Sequence, residues 1–380
     1  KYAQKLIDKD LAYPDPFTEE EVEGFRKKAE ENKQAFLFRN HRPTTFGVWD
    51  GTKPLRFKVP ELKRYEWHDE VRGTLSAGIE ALDDFILIKA DGFPTYNFCH
   101  IIDDIEMGVT HVMRGEEFIA STPKFLSLYD AFGVQPPIFA TLPPILGESG
   151  TKKLSKRDGA KNVLEYRDEG YIPDAMINFL AFIGWNPGGE KELYTRKELI
   201  EAFSLERIQK SGARFNPEKL DWVNKEHMKL LPAEEVYKNM LSYFENKNLT
   251  DQVRTRLQKL LPVAYDRMNT YSDFYRDYKE GEYSYIIEKP IFDIQKIIWK
   301  DDSLENAQKH LQEVRSILIS IPEDLWTPEN IKHGVWEYAE KVGRGNVLWP
   351  LRYSLSGKDK SPDPFLLAFV LGKEETLSRI

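Results

Sequence analysis

The sequence predicts an α/β layer followed by an all-α domain, and two observations carry that expectation. Between about residues 83 and 146, short apolar runs alternate with helical segments, as strands and helices packed in layers do. Beyond Gly159 apolar residues recur at helical spacing almost to the C-terminus. A chain of 380 residues is too long for one core, so two or three domains are expected. Its 41% hydrophobic and 31% charged residues are those of an ordinary globular chain. No apolar run of about 18 residues offers a membrane span. The first residues also lack the apolar stretch of a secretory signal. The one cysteine, Cys99, excludes an internal disulfide and a cysteine-cluster zinc site. Together these features point to the cytoplasm and away from membranes. A net charge of −8 does not by itself suggest a nucleic-acid partner, since phosphate binders usually carry a basic surplus.

Taken in order, Thr18 and Glu21 form a capping box that opens a charged helix to about Lys33. Residues 36–82 read as irregular, with strand-like pieces at 55–59. The run Phe85-Ile86-Leu87-Ile88, bounded by Asp83-Asp84 and the Asp91-Gly92 turn, suits a strand buried on both faces of a parallel sheet. A helix follows from Tyr96, then a strand near 109–113, a helix over 121–132 and an apolar run at 138–142. Pro173 opens another helix that ends near Gly184. Thr195 and Glu198 form a second capping box, and Asn216-Pro217 reads as N-cap and first helical position. Helical periodicity continues over 251–268, 304–319 and 328–341, with a domain boundary near 230–236.

Chemistry concentrates in Lys153-Leu154-Ser155-Lys156-Arg157. The string lies between Gly150 and Gly159, hence on a loop. Movable ammonium groups on a flexible backbone are what charge developing on a polyphosphate needs. A solvated basic surface loop would have the same composition, and the string alone leaves both readings open.

The neighbouring strings carry a resemblance. K-L-S-K-R resembles the lysine-rich ATP loop of class I aminoacyl-tRNA synthetases. Gly92-x-Pro94-Thr95-Tyr96, Asp103-Asp104 and Val112-x-Arg114-Gly115-Glu116-Glu117 are similar to the second half of the Rossmann-like catalytic domain in the glutamyl and glutaminyl subgroup. Residues 170–185 resemble the helix that follows the loop there, and the all-α tail resembles bacterial-type glutamyl-tRNA synthetases. That resemblance divides the chain into four parts. Residues 1–82 would be part of an inserted α+β acceptor-stem-binding domain, and 83–160 the second half of the catalytic domain. Residues 161–235 would be a helical stem-contact linker, and 236–380 the anticodon-binding domain.

The activity implied is ATP-dependent ligation of L-glutamate to tRNA(Glu) through a glutamyl-adenylate, with Mg²⁺ accompanying the phosphates and the protein working as a monomer. Lys153 and Lys156 would neutralise departing pyrophosphate. Glu117, Ile145, Leu146, Leu154, Ser155 and Arg157 would complete the ATP site. Tyr96, His100 and Arg114 would bind glutamate, Arg114 through a two-pronged guanidinium. An ion pair between Arg114 and Asp103 or Asp104 would instead make it structural. His100 stands where the family commonly has asparagine, which puts the hydrogen bonds to the amino acid in question. Arg267, Ser361 and Pro364 fall where the family reads the anticodon, although a solvated helix-end charge and a simple turn explain them equally well. Zinc, sometimes held by cysteines in the inserted domain, has no ligands in Tyr13-Pro14-Asp15-Pro16. The family's first signature, His-x-Gly-His, does not occur in the chain. The resemblance places it upstream of Lys1, so the chain is expected to lack part of its ATP site and to be inactive alone. A non-catalytic tRNA-binding fragment or paralogue remains the alternative.

Overall fold

The computed structural model describes residues 1–155, 157, 159–245 and 247–380. The chain forms two compact units: Lys1–Gly159 with Leu180–Asn216, and Ala160–Phe179 with Pro217–Ile380.

The first unit is built on two sheets. In one, β1 (Ala12–Pro14), β2 (Leu55–Phe57) and β5 (Ile86–Ile88) run antiparallel in that order. In the other, β3 (Tyr65–Asp69), β4 (Gly73–Ala77), β6 (His111–Gly115) and β7 (Ile138–Leu142) take the order β4-β3-β7-β6. Strand β7 is parallel to both β3 and β6, and the β3–β4 hairpin adds an antiparallel edge. A short parallel pair, β8 (Ile145–Leu146) with β9 (Ala213–Arg214), continues beyond β7. The helices α1 (Tyr2–Asp8), α2 (Glu19–Glu31), α3 (Tyr96–Met107) and α4 (Thr122–Phe132) complete the first stretch of this unit.

The anticipated helix over 121–132 and the strands near 109–113 and 138–142 are present, and both anticipated capping boxes form. Two expectations shift. The run at 85–88 is not a parallel strand buried on both faces. It is the third strand of the antiparallel sheet, with Leu87 buried and its neighbours Ile86 and Ile88 half-buried. The turn at Asp91-Gly92 folds the chain back, so that Thr95 N–H donates to the Leu87 carbonyl at 2.8 Å. An apolar run alone does not distinguish these sheet environments. Conversely, part of the stretch read as irregular supplies β3. There Tyr65, Trp67 and Asp69 face inward while Glu66 and His68 face out, a period-2 pattern visible in the sequence.

A buried ionic cluster pins the antiparallel sheet. Asp84, fully buried, accepts from the Tyr13 hydroxyl at 2.7 Å, the Arg42 Nε at 2.6 Å and the Val59 amide at 3.1 Å. Beside it Arg56 donates to Asp15 at 2.6 Å and lies over the Phe38 ring. Burial and the Asp84 charge hold the Tyr13 phenol far above its ordinary range.

Helix α6 (Pro173–Phe182) contributes its first turns to the second unit and its end to the first, which also holds α7 (Arg196–Ala202). The second unit is helical among its described residues. It contains α5 (Val163–Asp168), α8 (Pro217–Lys229), α9 (Ala233–Ser242), α10 (Asp251–Tyr265), α11 (Asp273–Lys279), α12 (Leu304–Ser320), α13 (Pro328–Val342), α14 (Arg344–Ser356), α15 (Pro364–Leu371) and α16 (Lys373–Arg379). Helix α15, Pro-Phe-Leu-Leu-Ala-Phe-Val-Leu, is apolar on every side because α10, α13, α14 and α16 surround it. The Arg379 guanidinium ties the end of the chain to the carbonyls of Tyr285 at 2.9 Å and Leu355 at 2.7 Å. Among the described residues no helix is long and apolar enough to cross a membrane.

Candidate active site and nucleic-acid interface

Two groups of expected site residues meet where β6 ends. The first is a niche between β6, α3 and α4. Thr95 fixes the start of α3 by donating its hydroxyl to the Ile86 carbonyl at 2.7 Å, which places Tyr96 at the niche mouth, 54% exposed. One turn on, the His100 ring stacks on Tyr96 at 4.7 Å and meets the Phe125 ring edge-on at 4.5 Å. From β6, Arg114 lays its guanidinium over Phe118 at 5.1 Å, Phe125 at 4.7 Å and Phe139 at 5.6 Å. Rings stacked on a guanidinium leave its in-plane N–H groups free to point at a ligand.

Burial lowers the Arg114 pKa, while the Tyr96 hydroxyl and the Asp104 charge oppose that shift. The anticipated alternative, an ion pair from Arg114 to Asp103 or Asp104, does not form among the described residues. Asp104 instead accepts the Tyr129 hydroxyl at 3.3 Å, and Asp103 accepts the Cys99 thiol at 3.6 Å.

The second group surrounds the lysine-rich loop. Residues 145–154 fold as a hairpin: Gly147 N–H donates to the Lys152 carbonyl at 2.9 Å and Leu154 N–H to the Ile145 carbonyl at 2.8 Å. The turn between them uses Gly150 at φ +71°, a backbone that side chains bearing a Cβ rarely adopt. The hairpin carries Lys153 to Glu117, with Nζ and Oε1 3.0 Å apart. The Glu117 carboxyl lies below its ordinary range, first because its own backbone N–H donates to it and then because of Lys153. Glu117, Ile145, Leu146, Lys153 and Leu154 are thus brought together. Ser155 follows directly, Arg157 is exposed, and Lys156 lies outside the described residues.

Sequence reasoning missed Arg72 at this sheet edge. Its backbone N–H donates to the buried Asp69 at 2.9 Å, and its guanidinium pairs with Glu116 at 3.1 Å. The signal was Asp69-x-x-Arg72-Gly73, a carboxylate capping its own hairpin turn.

In the second unit Arg267 is exposed just beyond α10; burial holds the Tyr283 and Tyr285 phenols above their ordinary range, and the Arg267 charge opposes that shift. Ser361 accepts the Ser356 hydroxyl at 3.2 Å. Pro364 is the first residue of α15, behind Asp363, which caps the amides of Phe365 and Leu366 at 3.0 Å each. Pro364 also lines a cavity of about 440 Å³ with Trp299, Arg344, Trp349 and Arg352. The two indoles stand 5.5 Å apart, and Arg352 sits 4.8 Å over Trp349. Gly345 lets α14 approach Trp299, since any Cβ there would overlap the indole. These two tryptophans and two arginines were not anticipated. Trp349 and Arg352, one helical turn apart, were the available signal.

The chain as a whole has similar counterparts among known proteins. The family model for tRNA synthetases class I (E and Q), catalytic domain, matches residues 1–222, and one for an anticodon binding domain matches residues 233–380. A glutamate–tRNA ligase of Clostridium botulinum is 36% identical over 393 residues, covering all of this chain and 79% of the relative. One from Carboxydothermus hydrogenoformans is 36% identical over 394 residues, with 100% and 80% covered. The crystal structure of a glutamate tRNA ligase from Elizabethkingia meningosepticum, in complex with its amino acid, superposes with a TM-score of 0.82 at 33% identity, covering 100% of this chain and 80% of that one. That of the Elizabethkingia anophelis enzyme gives 0.80 at 32%, with the same coverage. The chain belongs to the class I tRNA synthetases of the glutamate and glutamine type, with a synthetase catalytic domain followed by an anticodon-binding domain.

Proposed function

We propose that this chain serves the ATP-dependent ligation of L-glutamate to tRNA(Glu). A glutamate α-carboxylate oxygen attacks the α-phosphorus of ATP and pyrophosphate leaves; a hydroxyl of the tRNA's terminal ribose then attacks the glutamyl carbonyl of the adenylate, and AMP leaves. Such transfers need positioning and charge stabilisation more than covalent help from protein. Arg114 takes a glutamate carboxylate through its in-plane N–H groups, with the Tyr96 hydroxyl and His100 beside it. Lys153 and Lys156 neutralise the departing pyrophosphate. Glu117, Ile145, Leu146, Leu154, Ser155 and Arg157 border the nucleotide. The observation that carries this reading is the Lys153–Glu117 contact, made next to the Arg114 niche at the end of one strand.

Mg²⁺ would accompany the phosphates of ATP, as the family resemblance implies, and no step above runs through it.

In the second unit Arg267, Ser361 and Pro364 contact the anticodon. The cavity of Trp299, Arg344, Trp349 and Arg352 takes an unpaired base, since indole and guanidinium planes suit stacking of splayed bases. The family resemblance further implies a monomer in the cytoplasm.

Glutamate-dependent ATP–pyrophosphate exchange, measured on a chain extended to the relatives' full length beside tRNA(Glu) binding by the chain itself, tests the reading. Exchange with binding supports a ligase, and binding without exchange supports a tRNA-binding paralogue.

A further inference from the structure

His100 has a single tautomer available. Its Nδ1 lies 2.7 Å from the Tyr96 carbonyl oxygen, which can only accept, so Nδ1 carries the hydrogen. In the neutral ring Nε2 is then a bare acceptor. It lies on the far side of the ring from that bond and has no hydrogen-bond partner among the described residues. The ring meets Phe125 edge-on, the same ring over which the Arg114 guanidinium lies, and stacks on Tyr96.

A carboxylate seated on Arg114 offers only lone pairs, and a bare Nε2 beside it would repel them. The conflict ends if Nε2 gains a hydrogen and donates to the carboxylate. We infer that glutamate binding takes up one proton from solvent, onto Nε2 of His100, making a charge-assisted donor beside Arg114. This rests on the carboxylate-binding role proposed above for Arg114.

The surrounding charges agree. Without substrate, burial first and then the Arg114 charge from β6 keep the ring neutral, opposed by the Tyr96 carbonyl and by Asp104 and Asp103 on its own helix. From α4, Phe125 brings no charge, and Tyr129 is engaged with Asp104. A bound carboxylate cancels the Arg114 field and supplies the missing acceptor. Protonation, costly in the empty niche, becomes favourable in the filled one.

Calorimetric titration of a chain extended to the relatives' full length with L-glutamate, in buffers of differing ionisation enthalpy, tests this. The observed enthalpy should vary with the buffer with a slope approaching one proton taken up. The dissociation constant should weaken by up to about tenfold per pH unit as pH rises between the free and bound pKa values. H100N, whose amide donates without an added proton, should show neither dependence. In the unsubstituted chain, the His100 Cε1–H resonance should titrate at higher pH once glutamate is added. Binding without proton uptake, binding that weakens as pH falls, or equal uptake by H100N overturns the inference while leaving the carboxylate site intact. Absence of any glutamate binding removes that site and this inference together.

Discussion

The ammonium of Lys153 and the carboxylate of Glu117, 36 residues apart in sequence, meet at 3.0 Å with both side chains more than half exposed. An ion pair this wet contributes little to folding, so its value lies in where it parks the loop. Replacing Lys153 with Ala should leave the unfolding midpoint in urea essentially unchanged. In a chain extended to the relatives' full length it should lower glutamate-dependent pyrophosphate exchange by about 10²-fold, the usual consequence of removing one preorganised charge stabiliser. Equal losses of stability and exchange would recast Lys153 as a structural residue.

The Asp84 cluster predicts the opposite balance. Asp84, itself closed to solvent, accepts from Tyr13, Val59 and the partly exposed Arg42. Converting it to Ala strands a guanidinium and a phenol beside a hole, and breaking such a buried pair costs about 3–5 kcal/mol. Chemical denaturation of D84A should show that loss, with the transition of the second unit unmoved.

His227 predicts a pH dependence in the second unit. It is 5% exposed, its Nε2 hydrogen-bonds the Asn178 side-chain oxygen at 3.0 Å, and burial lowers its pKa below the ordinary 6.5. The unfolded chain therefore binds the proton more readily. This contribution to stability is complete above about pH 6.5 and is lost as pH falls from there towards the folded-state pKa, by at most about 1.4 kcal/mol per pH unit. Thermal melts between pH 7.5 and 5 should show the slope, and H227Q should reduce it.

The base-stacking cavity predicts a loss confined to tRNA recognition. Trp349→Ala should weaken tRNA(Glu) binding by about 1–3 kcal/mol, the usual worth of one stacked base. It should cost much less with a tRNA lacking the anticodon stem-loop. Equal losses with both RNAs would place the contact elsewhere.

What could be read from the sequence depended on how local each signal was. Capping boxes at Thr18/Glu21 and Thr195/Glu198 were legible because two residues three positions apart encode both halves. The pairing of Ile86–Ile88 with Leu55–Phe57 was not, since an apolar run does not name its neighbour. Arg114 and Lys153 stood out through their surrounding strings, whereas the rings that hold Arg114 come from three separate segments at Phe118, Phe125 and Phe139. Trp299 meets Trp349 across fifty residues of chain, and only the packing of α14 reveals them as one surface.

The most direct test of the account is glutamate-dependent ATP–pyrophosphate exchange in a full-length chain carrying Lys156→Ala, alone and with Lys153→Ala. The loop's role in stabilising departing pyrophosphate predicts a fall of about 10²-fold or more for the single substitution. The double substitution should add less than a second independent loss, and the KM for glutamate should stay near its original value. Exchange at the unsubstituted rate in both variants would contradict it.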